Sequence, residues 1–128
     1  VEFKHGAAHR LVSIDDIADG EMILDAGAES VAAAMAFLDR CSTIVWNGPM
    51  GAFEIPPFDA ATTVLARAVA AKTQNDGVMS VAGGGDTMAA LANAGVNDQF
   101  SYVSTAGGAF LEWLEGKRLP GVEALRID

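Results

Sequence analysis

Ser80-Val81-Ala82-Gly83-Gly84-Gly85-Asp86-Thr87, "SVAGGGDT", places three consecutive glycines directly behind an apolar run, then an acid and a hydroxyl. Glycine loses more backbone freedom on folding than any other residue, so three together need a reason. One reading is a tight strand-to-helix turn with Asp86 as the N-cap. The other is a loop that lets a phosphate come close to the first N–H groups of a helix, which lack partners and carry partial positive charge. The stretch alone leaves both open. It does fix the local pattern: strand, glycine loop, helix.

That pattern recurs along the chain. "MILD" (Met22 to Asp25) leads into a helix at 31–40, and "STIVW" (Ser42 to Trp46) leads through "NGPMGAFEIPP" into one at 59–72. "VMSVA" (Val78 to Ala82) precedes a helix at 88–94, and "SYVST" (Ser101 to Thr105) leads through "AGG" into one at 109–115. Val64, Leu65, Ala68 and Val69 share one apolar stripe, Asp59 stands at a helix start, and Gly95 and Gly116 stand at helix ends. Short apolar strands alternating with helices predict an α/β fold: a parallel sheet of about four strands with flanking helices. In such sheets ligands bind beyond the carboxyl ends of the strands, where three of these glycine-bearing loops fall.

Composition narrows the function. The 128 residues make one domain, with 51% hydrophobic content and a net charge of −9. Eight Lys and Arg residues are scattered without a cluster, which argues against nucleic acid and against an anionic membrane. No apolar run is long enough for a membrane span. The lone Cys41 excludes an internal disulfide and makes a reducing cytoplasm the expected compartment; it reads as a packing residue. "VEFKHG" opens as though on the tail of a strand, so the chain reads as a piece of a longer one.

The loops differ in their chemistry. "GGGDT" is neither a Walker A loop, since no lysine follows, nor a G-x-G-x-x-G fingerprint. Asp86 could cap its helix or reach a Mg²⁺ held by phosphates, and Thr87 could bond a phosphate oxygen. In "WNGPMGAFE", Asn47-Gly48 forces a turn, Gly51 leaves room for a flat ring, and Glu54 stands beside Met50, Ala52 and Phe53. Glu54 is either a solvated loop acid or a carboxylate for vicinal hydroxyls. In "STAGG", Gly107 and Gly108 open the last helix. His5 and His9 lack metal-ligand spacing, and no serine sits in a nucleophile elbow.

"VWNGPMGAFE", "GGGDTMAAL" and "YVSTAGGAFLEWLEGKRLPGV", in that order, resemble phosphoglycerate kinase, and "DGEMILDAGAES" resembles that family's D-x-G-P-x-S/T stretch. The resemblance runs from Val1 to about Val122 and covers about the last third of the family's chain. It implies the later half of a Rossmann-like three-layer nucleotide-binding domain spanning 1–128, with 119–128 a tail that packs on a missing N-terminal phosphoglycerate-binding domain. It implies a reversible transfer of phosphate from 1,3-bisphosphoglycerate to ADP with Mg²⁺, performed by the full-length family member, a cytoplasmic monomer. Residue by residue it implies that Glu54 binds the ribose and that Leu24 and Gly51 border the adenine. Asn47 would face the phosphates, and Gly84, Gly85, Asp86 and Thr87 would hold the phosphate chain with Asp86 on the magnesium. Gly107 and Gly108 would donate N–H groups to the phosphoryl group in flight.

The chain departs from the family pattern at Ala28, Tyr102 and Ala106, which stand for proline, histidine and glycine. The family's basic patch, its phosphoryl-stabilising arginine and its "GGAK"-type lysine are absent, so the chain alone is expected to be inactive. Two other classes stay open: a nucleotide-binding module without catalysis, and an α/β interaction domain without nucleotide.

Overall fold

A computed structural model describes residues 3–126. Five-residue strand β1 (Thr43–Asn47) is followed by α2 (Ala60–Asp76), after an earlier α1 (Ala28–Leu38). Then come β2 (Met79–Gly83), α3 (Gly85–Ala94), β3 (Tyr102–Ser104), α4 (Gly108–Leu114) and the single-turn α5 (Pro120–Glu123). The strands form a parallel sheet in the order β1-β2-β3. Asn47 pairs with Gly83, and Gly83 with Ser104, so three strand ends lie in one row.

Alternation along the strands decides what each face of the sheet meets. Ile44, Trp46, Ser80 and Ala82 point to one face and are buried. There they meet Leu65, Ala66, Val69 and Ala70 of α2 and Leu91 and Ala94 of α3. Val31, Ala34, Met35 and Leu38 of α1 pack against the same core. Buried Ser80 is hydrogen-bonded on its side chain: its Oγ accepts from Ser101 N–H at 3.1 Å and pairs with the Thr73 hydroxyl at 2.7 Å, while Thr73 donates to the Val69 carbonyl.

The other face is bare over much of its area. Val45, Met79 and Tyr102 are 55%, 57% and 53% exposed. Among the described residues α4 covers part of it. Phe110 stacks at a tilt on Tyr102 with ring centres 5.3 Å apart, and Phe110 and Leu111 lie against Gly83. Parallel sheets are almost always covered on both faces, so this apolar surface is a departure from the rule.

The expected fourth strand is not formed. Met22–Asp25 pairs with no strand among the described residues. The Leu24 carbonyl instead accepts from Ala52 N–H at 2.8 Å, and Met22 and Ile23 stay exposed. The apolar tetrad has a strand's composition, but a strand also requires a neighbour to bond. At the start, Val1 and Glu2 lie outside the described residues, and Lys4–Gly6 form a turn rather than a strand tail. The expected tail is described as far as Arg126; Val122 and Leu125 are exposed there, and Ile127 and Asp128 lie outside the described residues.

Gly95 (φ +74°) ends α3 as expected, and Gly77 (φ +70°) ends α2 in the same left-handed conformation. Gly116, with φ +81°, follows α4. Cys41 packs against the core, its thiol directed at the Phe37 carbonyl 3.5 Å away.

Ahead of Leu24 the chain is folded back by an ion pair. Arg10 Nε donates to Glu21 Oε1 at 2.7 Å, and a second guanidinium nitrogen donates to Oε2. The Arg10 hydrogen bond, assisted by the Ala18 N–H, lowers the Glu21 carboxyl to about 2. A depressed carboxyl contributes its stabilisation above the ordinary value of 4.5 and loses it as pH falls toward 2. We therefore expect the Glu21 side-chain carbon, followed by NMR, to titrate near 2 and to return toward the ordinary carboxylate range in Arg10→Gln.

Candidate functional site

The rim begins with the three glycines, which have three different jobs. Gly83 packs: a Cβ there would lie 3.1 Å from a Phe110 ring carbon and 3.4 Å from Leu111. Gly84 turns: it is the N-cap of α3 with φ +103° and ψ +145°, a conformation L side chains rarely adopt. Gly85 opens: a Cβ there would meet nothing within 4 Å. Gly85 therefore stands in open space.

Asp86 is not the cap. α3 starts at Gly85, earlier than the sequence pattern indicates, so Asp86 lies in its first turn, is exposed and makes no capping hydrogen bond. The capping reading of this loop is thereby removed. A carboxylate near a helix N-terminus is favoured by the dipole, and this one is directed to solvent. Gly107, at φ +60° and ψ −141°, begins α4 in the same uncapped way, and Ser104 Oγ accepts from Ala106 N–H at 3.2 Å.

The loop after β1 is braced at four points. Thr87 Oγ1 accepts from Gly48 N–H at 2.8 Å, and Thr62 Oγ1 from Met50 N–H at 3.0 Å. The Leu24 carbonyl accepts from Ala52 N–H. The fourth brace is Asp25, a residue that local patterns do not single out. Its Oδ2 accepts from Ala61 N–H of α2 at 3.0 Å, and its Oδ1 from Ala26 N–H at 2.9 Å. Asp59 occupies the N-cap position of α2 but makes no capping bond. The cap is supplied from 36 residues away.

Asp25 also explains Gly51. A Cβ on Gly51 would fall 2.3 Å from Asp25 Oδ1 and 2.7 Å from the Leu24 carbonyl oxygen. Close approach of this segment therefore requires glycine there, independently of any flat ring. Phe53 is buried, while Met50 and Glu54 are exposed. Glu54 makes no hydrogen bond among the described residues.

The structure thus brings Asn47, Gly84, Gly85, Asp86, Thr87, Gly107 and Gly108 to one edge of the sheet, and joins Gly51 to Leu24 beside it. No Lys or Arg occurs in 47–55, 83–87 or 104–108. Among the described residues no cluster of His, Cys, Asp or Glu could hold a metal by itself. A recess of about 360 Å³ lined by Asp39, Cys41, Lys72 and Val78 lies at the opposite edge. There Lys72 is paired with Asp39 at 2.7 Å.

Comparison with known proteins settles the family. The sequence profile described as phosphoglycerate kinase matches residues 1–117. This chain belongs to the phosphoglycerate kinase family. A phosphoglycerate kinase from Xanthobacter autotrophicus is 66% identical over 125 residues, covering 98% of this chain and 32% of the relative. One from Xanthobacter flavus is 64% identical over the same length. The solved phosphoglycerate kinase of Coxiella burnetii superposes with a TM-score of 0.86 at 47% identity, over 95% of this chain and 30% of that one. The chain spans about a third of the length of the relatives it matches. No helix among the described residues is long and apolar enough to cross a membrane.

Gly51→Ala is expected to destabilise the chain by about 1–3 kcal/mol in urea denaturation, as overpacking does. Asp25→Ala in the same chain should not restore stability, because the Leu24 carbonyl oxygen would still block the methyl group.

Proposed function

We propose that this chain is the nucleotide-holding part of a phosphoglycerate kinase, binding Mg-ADP or Mg-ATP along the edge formed by Asn47, Gly83 and Ser104. One observation carries this reading: within the family, parallel register sets three glycine loops side by side, and two of them start helices without a side-chain cap. In this reading Glu54 takes the ribose hydroxyls, and Leu24 and the Gly51 backbone border the base. Asn47, Gly84 and Gly85 face the phosphates, and Gly107 and Gly108 donate N–H groups to the transferring phosphoryl group.

Magnesium fits as part of the substrate. It commonly binds one or two carboxylates together with substrate phosphates and waters. Asp86, exposed and without a side-chain partner among the described residues, can supply the one carboxylate. Bound there, the ion would neutralise phosphate charge, which a rim without cations needs.

The reaction would break the acyl-phosphate bond of 1,3-bisphosphoglycerate and form a bond to a terminal oxygen of ADP, giving 3-phosphoglycerate and ATP. Such a transfer depends on positioning and charge stabilisation, with an arginine worth roughly 10³–10⁵ in rate. The loops 47–55, 83–87 and 104–108 hold no arginine. In this reading the chain by itself holds nucleotide without transferring phosphate. Chain from outside these residues supplies the missing charge and the phosphoglycerate site. It also covers the bare face at Val45, Met79 and Tyr102.

The test uses a chimera in which this chain replaces the matching third of the Xanthobacter autotrophicus kinase. Calorimetry with ADP should show Asp86→Asn losing the Mg²⁺-dependent part of the affinity while metal-free binding is unchanged. Glu54→Gln should weaken adenosine binding by roughly tenfold or more, the scale of a charged hydrogen bond. Affinity for MgADP untouched by either change would exclude the assignment. Separately, Val45→Lys should lower the melting temperature of the chimera yet leave that of the isolated chain within about a degree, since exposed substitutions cost little.

A further inference from the structure

Thr87 lies in the phosphate turn of that reading, yet its hydroxyl is turned inward. The residue is 1% exposed, and its Oγ1 lies 3.4 Å from where a Cβ on Gly84 would be. That oxygen accepts the N–H of Gly48, from the other loop, at 2.8 Å. The two residues are 39 positions apart. Gly48 has φ +87°, a backbone state in which its N–H direction is set by the turn and not by a side chain. Among the described residues this is the one side-chain hydrogen bond joining the loop after β1 to the turn after β2.

We propose that Thr87 is a positioning residue, whose hydroxyl sets the spacing between the ribose-side loop at 48–54 and the phosphate turn at 84–86, Asn47 belonging to the end of β1 on the phosphate side. The proposal rests on the nucleotide reading above and gives Thr87 a role in place of direct phosphate contact. A ligand spanning both loops needs the spacing to be right before it binds; one touching a single loop does not. Removing the hydroxyl leaves the Gly48 N–H without its partner and frees the loops to drift apart.

The experiment compares Thr87→Val with Thr87→Ser in the chimera, using adenosine, pyrophosphate and ADP, each with Mg²⁺. Thr87→Val should weaken ADP by roughly tenfold, the order expected for a lost buried hydrogen bond. Adenosine and pyrophosphate should each stay within about twofold, by the same reasoning that neither spans the joint. Thr87→Ser should bind all three as the parent does. Amide exchange at Gly48 should speed up in Thr87→Val and not in Thr87→Ser. A fall in pyrophosphate affinity matching that of ADP overturns the proposal in favour of direct phosphate contact. Unchanged ADP affinity in Thr87→Val overturns it too. A parent chimera that binds none of the three ligands sinks the nucleotide reading and this proposal with it. Should Thr87→Val not fold, Thr87→Ala is compared with Thr87→Ser in the same titrations.

Discussion

Parallel hydrogen bonding in register is the constraint on which the rim depends. Asn47, Gly83 and Ser104 are partners in one row, so their following loops emerge together. Neighbouring strands are about 4.8 Å apart, which sets three loops within roughly 10 Å of one another. Slipping one strand by a single residue would turn Ile44 and Trp46, or Ser80 and Ala82, out of the core. The burial that holds the sheet against α2 and α3 is therefore the same force that aligns the site.

A second constraint acts through single polar atoms. Asp25 caps α2 from across the fold and confines Gly51, while Thr62 and Thr87 hold Met50 and Gly48. Thr62 and Thr87 are almost fully buried, so their bonds are made away from water. There an unpaired donor is costly and the preferred geometry narrow. The loop after β1 is long, yet four such contacts define its course.

Much of this was legible in sequence, and what escaped has a common cause. The strand–glycine–helix repeats, the helix stops at Gly95 and Gly116 and the family motifs are all local, so they survive reading residue by residue. Met22–Asp25 has the make-up of a strand, but pairing depends on a neighbour that the sequence does not name. Asp59 stands where a cap should, but Asp25 reaches α2 first. Asp86 was open between cap and ligand until the helix start at Gly85 removed the cap. Gly51, read as space for a ring, is also required by the approach of Asp25 and Leu24, which local spacing does not show. In each case the deciding partner lies tens of residues away or in the exact start of a helix, beyond what spacing encodes.

Of the three successive glycines, Gly85 alone has an ordinary backbone conformation and empty space around it. A methyl group there would clash with nothing in the protein. Gly83 answers to α4, and Gly84 to the chain's change of direction; Gly85 answers to nothing inside the protein. It is the place where evolutionary tolerance of a side chain would register the needs of a visitor rather than those of the host.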